Sequence, residues 1–158
     1  MIGIKVKKLL KDAVVPRYAH DTDTGFDLFT AEELTLEPHG KGIARTGLAF
    51  SMPFGWGIMV RNKSGITTKG APIKTTIDTS TGERADVTIY MGTVDSSYRG
   101  EIGIMIKNEE DFEITIPKHL KLAQGVIEKI YRAEFTETEE LDETERGTGG
   151  YGSTGVGV

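Results

Sequence analysis

Alternation of apolar and polar residues is the feature that most constrains the fold of this chain. Such period-two patterns indicate β-strands, whose successive side chains point to opposite faces of a sheet. The alternating or short apolar runs are 2–6, 43–52, 56–60, 102–106 and 114–116. No segment keeps a helical period over three turns, and one short helical turn is expected at 64–69. The sequence therefore predicts an all-β antiparallel sandwich, jelly roll or barrel.

Turn chemistry separates the predicted strands, at Glu37–Gly40, Pro53–Gly55 and Thr81–Arg84. A length of 158 residues suits one domain, which can bury a core without disulfides or a structural metal. We find no internal repeat.

Composition excludes several classes of function. The chain has no cysteine, so it has no thiol nucleophile, disulfide or cysteine zinc site. His20, His39 and His119 lack the spacing of a metal site, and we expect them at the surface. A net charge of −5 argues against a general nucleic-acid binder, and no apolar run could span a bilayer. We expect a soluble cytoplasmic protein that binds neither nucleic acid nor membrane.

The last thirteen residues, 146–158, are rich in glycine, with Arg146, Tyr151 and hydroxyl residues between the glycines. Glycine allows successive backbone N–H groups to turn toward one anion, and the ring could cover a flat ligand. The alternative is a frayed tail. The preceding segment, 134–145, is acidic and poor in apolar residues, which predicts a solvated linker. We thus divide the chain into a body (1–133), a linker (134–145) and an arm (146–158).

One segment within the body, 71–91, is predicted to be an inserted β-hairpin. Two threonine-rich runs, 73–80 and 85–90, flank Thr81 and Gly82. With its polar faces, this segment is expected to decorate the surface of the domain.

Four further motifs could carry chemistry. Glycines bracket a predicted tight hairpin at Gly92–Ile104, which presents Asp95 and Tyr98. Asp95 is either free to enter a cleft or engaged in an Asx-turn. The segment 62–66 offers a cation, a hydroxyl and a flexible residue to a phosphate. Asp27 lies between apolar residues and is either catalytic or structural. Gln124 is an amide within an apolar strand, where the alternative is a bulge.

Taken together and in order, these segments resemble the trimeric dUTP diphosphatase (dUTPase) family. The resemblance extends from Ala19 to Val156. The matching segments are Thr24–Leu28, Lys63–Gly65, Gly92–Glu101, Lys121–Gln124 and Arg146–Gly155. The third and fifth are highly specific.

The resemblance implies a β jelly-roll homotrimer with active sites between subunits, each covered by the flexible C-terminal arm of another subunit. It implies hydrolysis of dUTP to dUMP and pyrophosphate, which limits uracil in DNA and supplies dUMP for dTMP synthesis. It also implies Mg²⁺, held by the substrate phosphates and waters rather than by direct protein ligands.

The resemblance assigns roles to particular residues. Asp95 would be the general base for the water that attacks the α-phosphorus. Main-chain groups of the Gly92–Gly103 hairpin would read the uracil, and Tyr98 would lie under the deoxyribose. The hairpin residues concerned are Gly92, Thr93, Val94 and Gly103.

On the phosphate side, Lys63, Ser64 and Gly65 would contact the phosphates, with Asp27 and Gln124 supporting them. From the arm, Tyr151 would stack over the uracil. The arm residues assigned to the γ-phosphate region are Arg146, Gly152, Ser153 and Thr154.

Two departures from the family pattern leave alternatives open. Lys63 stands where the family usually has arginine, and lysine lacks the two-pronged fork. The stretch from Ser64 to Asp95 is longer than usual because of the 71–91 segment, and phage-type members can carry such insertions. That segment could instead dock another protein, which would give the chain a regulatory role.

A dCTP deaminase of the same fold is the other alternative. The catalytic glutamate of those enzymes falls at Met105 here, which cannot transfer a proton. They also tend to have Trp at Tyr98.

Overall fold

The computed structural model describes residues 2–74 and 83–150. In these residues it has twelve strands and one short helix. The elements are β1 (Lys5–Lys8), β2 (Gly25–Phe29), β3 (Leu34–Leu36), β4 (Lys41–Ser51), β5 (Trp56–Asn62), α1 (Ser64–Lys69), β6 (Ala71–Pro72), β7 (Arg84–Ala85), β8 (Val87–Ile89), β9 (Gly92–Val94), β10 (Glu101–Asn108), β11 (Ile114–Ile116) and β12 (Lys121–Lys129). The predicted all-β class and the helical turn at 64–69 are confirmed.

Two four-stranded sheets form the body, one in the order β1-β4-β10-β8 and the other in the order β2-β12-β5-β9. All their pairings are antiparallel. Two-stranded pairs, β11-β3 and β6-β7, complete the described topology.

The core follows from the alternation seen in the sequence. In β10, Ile102, Ile104 and Ile106 are buried, whereas Met105 between them is exposed. Buried residues of both large sheets belong to one hydrophobic cluster, including Leu48 of β4 and Ile58 of β5. Burying such side chains contributes roughly 1.5–3 kcal/mol each. The outward residues of the same strands are thereby left free to line a site.

The 71–91 segment was predicted to decorate the surface, and this prediction is wrong for the residues at the base of the segment. β6 pairs with β7, as a hairpin requires, but Ala71 and Ala85 are almost fully buried. The following strand, β8, pairs with β10 of the main sheet, and Ile89 is buried. The sequence did not indicate this burial because the segment is rich in threonine and has few apolar residues. The predicted tip, 75–82, lies outside the described residues.

Two histidines have a turn role that the sequence did not predict. His39 and His119 adopt positive φ angles of 56° and 61°, each in a turn that contains a proline. Such angles are uncommon for residues with a side chain, although histidine is among the more tolerant. Both are exposed, as is His20, which confirms their predicted surface location.

Beyond β12 the described chain is exposed. Residues 130–150 have no strand or helix, and Tyr131, Phe135 and Leu141 are each more than 80% exposed. The acidic stretch 134–145 lies within this exposed segment. Among the described residues, no helix is long and apolar enough to cross a membrane.

Candidate active site

The candidate site is centred on a gap between β9 and β10. The chain that leads into β9 is still paired with β10. β8 pairs with β10, and the Tyr90 N–H donates to the Met105 carbonyl at 2.9 Å. After Met91 the two segments separate, because β9 pairs with β5 of the other sheet. The prediction of a tight hairpin at Gly92–Ile104 is therefore wrong, since its two strands belong to different sheets. In the described part of the chain β9 has no second partner strand, so its outer backbone groups face the gap.

A cavity of about 440 Å³ occupies this gap, and we call it the β9–β10 cavity. Its lining residues are Ile43, Arg45, Val60, Gly92, Thr93, Val94, Asp95, Tyr98, Glu101, Ile102, Gly103 and Met105. It thus brings together all the residues that the sequence assigned to the catalytic base, the base-reading hairpin and the sugar.

Asp95 lies in the turn between β9 and β10 and is exposed. The turn is closed by the backbone, with the Tyr98 N–H donating to the Asp95 carbonyl at 3.1 Å. Within the described residues, no hydrogen bond or ion pair engages the Asp95 carboxylate, so the Asx-turn alternative is not observed. A second cavity, of about 290 Å³, adjoins Asp95 on the side of Trp56 and Arg132. A free carboxylate in this position can hold and deprotonate a water.

Tyr98 is fixed by its hydroxyl group and by the adjacent glycine. The hydroxyl donates to the Glu101 carbonyl at 3.1 Å. A Cβ on Gly100 would lie 2.3 Å from that hydroxyl oxygen and 2.5 Å from the ring carbon bearing it. Gly100 is therefore the residue that lets the ring lie across the turn. Tyr98 is 46% exposed, and its ring can present a flat face to a ligand.

Three of the residues assigned to the phosphate side, Lys63, Ser64 and Gln124, line a different cavity, which we call the α1 cavity. Its volume is about 410 Å³, and its lining residues are Asn62, Lys63, Ser64, Thr67, Thr68 and Gln124. Its lining includes hydroxyl, amide and ammonium groups, which suit phosphate oxygens. Gly65 is exposed beside it, and a Cβ there would meet no atom within 4 Å.

Gln124 is held in one orientation. Its Nε2 donates to the Asn62 carbonyl at 2.9 Å. Its Oε1 lies in the space that a Cβ of Gly25 would occupy, 2.9 Å away. The register of β12 against β2 shifts between Lys121 and Ala123, next to this residue. The bulge that the sequence left as the alternative for Gln124 therefore lies next to it in the strand.

Asp27 is an anchor for two cations beside the α1 cavity. Its side chain is 13% exposed and pairs with Lys63 through one oxygen and with Lys121, at 2.8 Å, through the other. Burial alone would raise the pKa of Asp27, but hydrogen bonds from Lys121 and Lys63 outweigh it, and the pKa lies below its ordinary value. Asp27 therefore stays ionised and fixes the Lys63 ammonium.

One chain does not bring all the predicted site residues into one cavity. The β9–β10 cavity and the α1 cavity share no lining residue. Arg146 lies on the exposed C-terminal segment, where its Nε donates to the Gly149 carbonyl at 2.9 Å. Tyr151, Gly152, Ser153 and Thr154 lie outside the described residues.

Sequence reasoning missed several lining residues. Ile43 and Arg45 of β4 face the β9–β10 cavity, and Glu101 of β10 faces it from the opposite strand. Period two was the available signal, because odd-numbered residues of β10 share the face of Gly103. Thr67 and Thr68 were missed at the α1 cavity because no motif marked them.

No three histidine or acidic side chains of the described residues come together as a metal-binding group. A divalent ion that depends on a cage of protein carboxylates does not suit this donor set. An ion that arrives with a polyphosphate and keeps its waters does suit it.

Comparisons with known proteins agree with this geometry. A family model described as dUTPase matches residues 11–155. The deoxyuridine 5'-triphosphate nucleotidohydrolase of Helicobacter pylori (strain P12) is 39% identical over 153 residues, which is 97% of both chains. The enzyme of that name from Alkaliphilus metalliredigens is 36% identical over 156 residues, or 99% of both.

Solved structures give the same result. A Staphylococcus bacteriophage 80alpha dUTPase structure with dUpNHpp has a TM-score of 0.83 and 30% identity, covering 98% of this chain and 99% of that one. A phage phi11 dUTPase structure has a TM-score of 0.75 and 27% identity, with coverage of 89% and 99%. It is described as revealing the coordination of a structural Mg(II) ion. The fold, the cavity around Asp95 and these matches together establish that the chain belongs to the dUTPase family.

Proposed function

We propose that this chain hydrolyses dUTP to dUMP and pyrophosphate by attack of a water on the α-phosphorus. As a dUTPase, it is a nucleoside triphosphate pyrophosphohydrolase. The observation that carries the proposed mechanism is the Asp95 carboxylate, which no described side chain or N–H engages and which lies in a backbone-closed turn at the rim of the β9–β10 cavity. Asp95 accepts the proton of the water and fixes its line of approach.

In the β9–β10 cavity, the nucleoside lies between the separated strands. Backbone groups of Gly92, Thr93, Val94 and Gly103 hydrogen-bond the uracil edge. Tyr98 packs against the deoxyribose and leaves no room for a 2′-hydroxyl. Support comes from the outer edge of β9, which has no partner strand among the described residues.

The triphosphate is bound by Lys63, Ser64 and Gly65, with Asp27 and Gln124 holding that surface in place. Loss of one hydroxyl donor such as Ser64 typically costs about 3 kcal/mol of transition-state stabilisation. The lysine at 63 supplies charge without the geometry of an arginine fork. Its ion pair with Asp27 supports a role in which the ammonium is preset beside the phosphates.

The complete site forms between subunits of a homotrimer. The separate β9–β10 and α1 cavities support this arrangement, because one chain keeps the two halves apart. The body spans 1–133, the acidic linker 134–145 and the arm 146–158. The arm crosses to another subunit, where Arg146, Gly152, Ser153 and Thr154 meet the terminal phosphate and Tyr151 covers the uracil. The exposed course of 130–150 suits such a reach.

We infer that Mg²⁺ is the cofactor and that the substrate phosphates and water would hold it. When bound, it would spread the charge of the triphosphate and orient it. The described residues hold no group of three histidine or acidic side chains that could cage the ion, which supports an ion held through phosphates and water. The phage phi11 dUTPase structure described with Mg(II) supports a metal requirement. The reaction takes place in the cytoplasm of a bacterium, or of the host if a phage encodes the chain. It keeps uracil out of DNA and supplies dUMP for dTMP synthesis.

A second, regulatory role through the 71–91 segment has one supporting observation. The phage 80alpha dUTPase is described among phage dUTPases that control transfer of virulence genes. Deletion of 75–82 tests this role in a pull-down from host lysate. Loss of a specific partner with activity retained supports it, and unchanged capture contradicts it. The same fold also hosts deaminases, but the Met105 thioether in the cavity has no proton to transfer.

The main proposal is tested by measuring pyrophosphate release with Mg²⁺ from dUTP, dCTP, dTTP and UTP. We expect turnover of dUTP far above the others, and no ammonia from dCTP. Asp95→Asn should keep nucleotide binding, measured by calorimetry, and lose turnover. His20→Gln is the control, because His20 is exposed and lines none of the three cavities described above. Full turnover by Asp95→Asn would remove the catalytic assignment.

A further inference from the structure

Two carboxylates line the β9–β10 cavity, Asp95 and Glu101, and Glu101 is the one that described residues hold by hydrogen bonds. It is the first residue of β10, directly after the turn that carries Asp95. Its side chain is 21% exposed. The carboxylate accepts hydrogen bonds from Arg45 Nε at 3.0 Å, from Arg45 Nη2 at 2.9 Å and from the Gly47 backbone N–H at 2.7 Å.

These contacts lie where backbone pairing is interrupted. Glu101 is opposite Ala49, but Gly103 is opposite Arg45, so the register between β10 and β4 shifts there. Hydrogen bonds from side chains replace the backbone hydrogen bonds that are missing there. One such side chain is Glu101, and another is Thr46, whose hydroxyl donates to the Ile102 carbonyl at 2.6 Å. The root of the turn is thus joined to β4 through the Glu101 carboxylate.

The backbone of the same residue holds the aromatic ring. The Glu101 carbonyl is the acceptor for the Tyr98 hydroxyl. A shift of Glu101 would therefore move both the C-terminal end of the Asp95 turn and the ring of Tyr98. Arg45 strengthens the anchor because its planar fork grips the carboxylate through two nitrogens, while Glu32 accepts from its third at 3.2 Å.

We propose that Glu101, clamped by Arg45, is a positioning residue that sets the discrimination between deoxyribonucleoside and ribonucleoside triphosphates through Tyr98. The inference rests on the proposed sugar contact of Tyr98. Glu101 itself does not touch the reacting atoms. Its effect is to keep the ring where a 2′-hydroxyl would collide with it.

The test compares kcat/KM for dUTP with kcat/KM for UTP, because a loss of folded enzyme lowers both equally and leaves the ratio unchanged. Glu101→Gln keeps the shape of the side chain and an acceptor for the Gly47 N–H, but it removes the negative charge that pairs with Arg45. Arg45→Met removes the fork from the other side. For each we expect the ratio to fall about threefold to tenfold, as for loss of one charge-assisted hydrogen bond. Tyr98→Phe, which removes the donor to Glu101, should lower the ratio in the same direction.

Glu109→Gln is the matched control. Glu109 directly follows the other end of β10, is 33% exposed, pairs with Lys107 and accepts from the Thr88 hydroxyl at 2.6 Å. Its ratio should equal that of the parent chain. An unchanged ratio in Glu101→Gln and Arg45→Met, with Tyr98→Ala lowering it, overturns the positioning role alone. An unchanged ratio in Tyr98→Ala overturns the sugar contact itself and the inference with it.

Discussion

Gly103→Ala offers a sharp test of how the floor of the β9–β10 cavity is built. A Cβ at this position would lie 2.3 Å from Cγ2 of Ile43, whereas carbon atoms in contact are about 3.5–4.0 Å apart. The only other atom near it is Cβ of Ile43, at 3.8 Å. The added methyl group therefore meets the side chain of Ile43 and no backbone of another strand. Ile43 is 60% exposed, so it can rotate away.

The expected cost divides between stability and binding. Moving an exposed side chain off its preferred rotamer costs about 0.5–1.5 kcal/mol, so the variant should remain folded in urea titration. Inside the cavity, the new methyl and the displaced Ile43 both reduce the room for the nucleoside. Overpacking of this kind costs about 1–3 kcal/mol, which corresponds to a rise of roughly fivefold to 150-fold in KM for dUTP. Pyrophosphate release against dUTP concentration measures that rise.

A rescue separates this explanation from general damage. Ile43→Ala removes Cγ2, so the double change Gly103→Ala with Ile43→Ala should bind dUTP better than Gly103→Ala alone. The coupling energy should lie at about 0.5–3 kcal/mol. Gly3→Ala, where a Cβ would meet no atom within 4 Å, controls for glycine replacement. If the double variant is no better than the single one, Ile43 is not the obstacle and this account of the floor is wrong.

Three further predictions concern the core, the phosphate anchor and the arm. Gly125→Ala places a Cβ 2.4 Å from the ring of Phe26, which is 5% exposed and cannot move aside, so the free energy of unfolding should fall by about 2–3 kcal/mol in urea titration. The pKa of Asp27 is lower in the fold than in the unfolded chain, so its stabilising contribution is present above the unfolded value of about 3.9 and is lost as the pH falls through the lower folded value. Asp27→Asn should therefore make the free energy of unfolding depend less steeply on pH in that range. An unchanged slope would count against the anchor. Removing 146–158 should leave the melting temperature unchanged and abolish most dUTP turnover; a truncated chain with full activity would show that the arm is dispensable.

The strands that were predictable are those in which one face is buried. The alternation of Ile102, Ile104 and Ile106 indicates β10 directly, since a one-residue slip would expose all three. The strand partners were not predictable. β9 has only three residues, and its sequence fits pairing with β10 as well as with β5. The choice depends on long-range contacts, and it determines whether the segment is a closed hairpin or an open cavity.

The candidate site shows the same division between local and long-range information. Asp95 and Tyr98 could be found because a glycine-bounded turn is a local signal. Arg45 could not, because its partner Glu101 lies 56 residues away and the contact depends on the register of β4. The 71–91 segment was misjudged for a similar reason: Ala71 and Ala85 are small residues whose burial depends on packing from elsewhere in the fold.

The separation of the two cavities leads to a prediction about assembly that one chain alone cannot satisfy. Asp95 belongs to the β9–β10 cavity, and Arg146 lies on an exposed segment outside both cavity linings. If the base and the arm act from different subunits, a mixed trimer can form complete sites. In such a site, an Asp95→Asn chain supplies the arm and a chain truncated before Arg146 supplies the Asp95 carboxylate. Each variant alone should be nearly inactive. Unfolded together in equal amounts and refolded, they should regain about one quarter of the sites of the parent enzyme, because each site draws each component at random from two pools. Mixing without refolding controls for trace activity in either preparation. If the refolded mixture is no more active than the separate variants, the base and the arm must come from the same chain, and the exchange of arms is refuted.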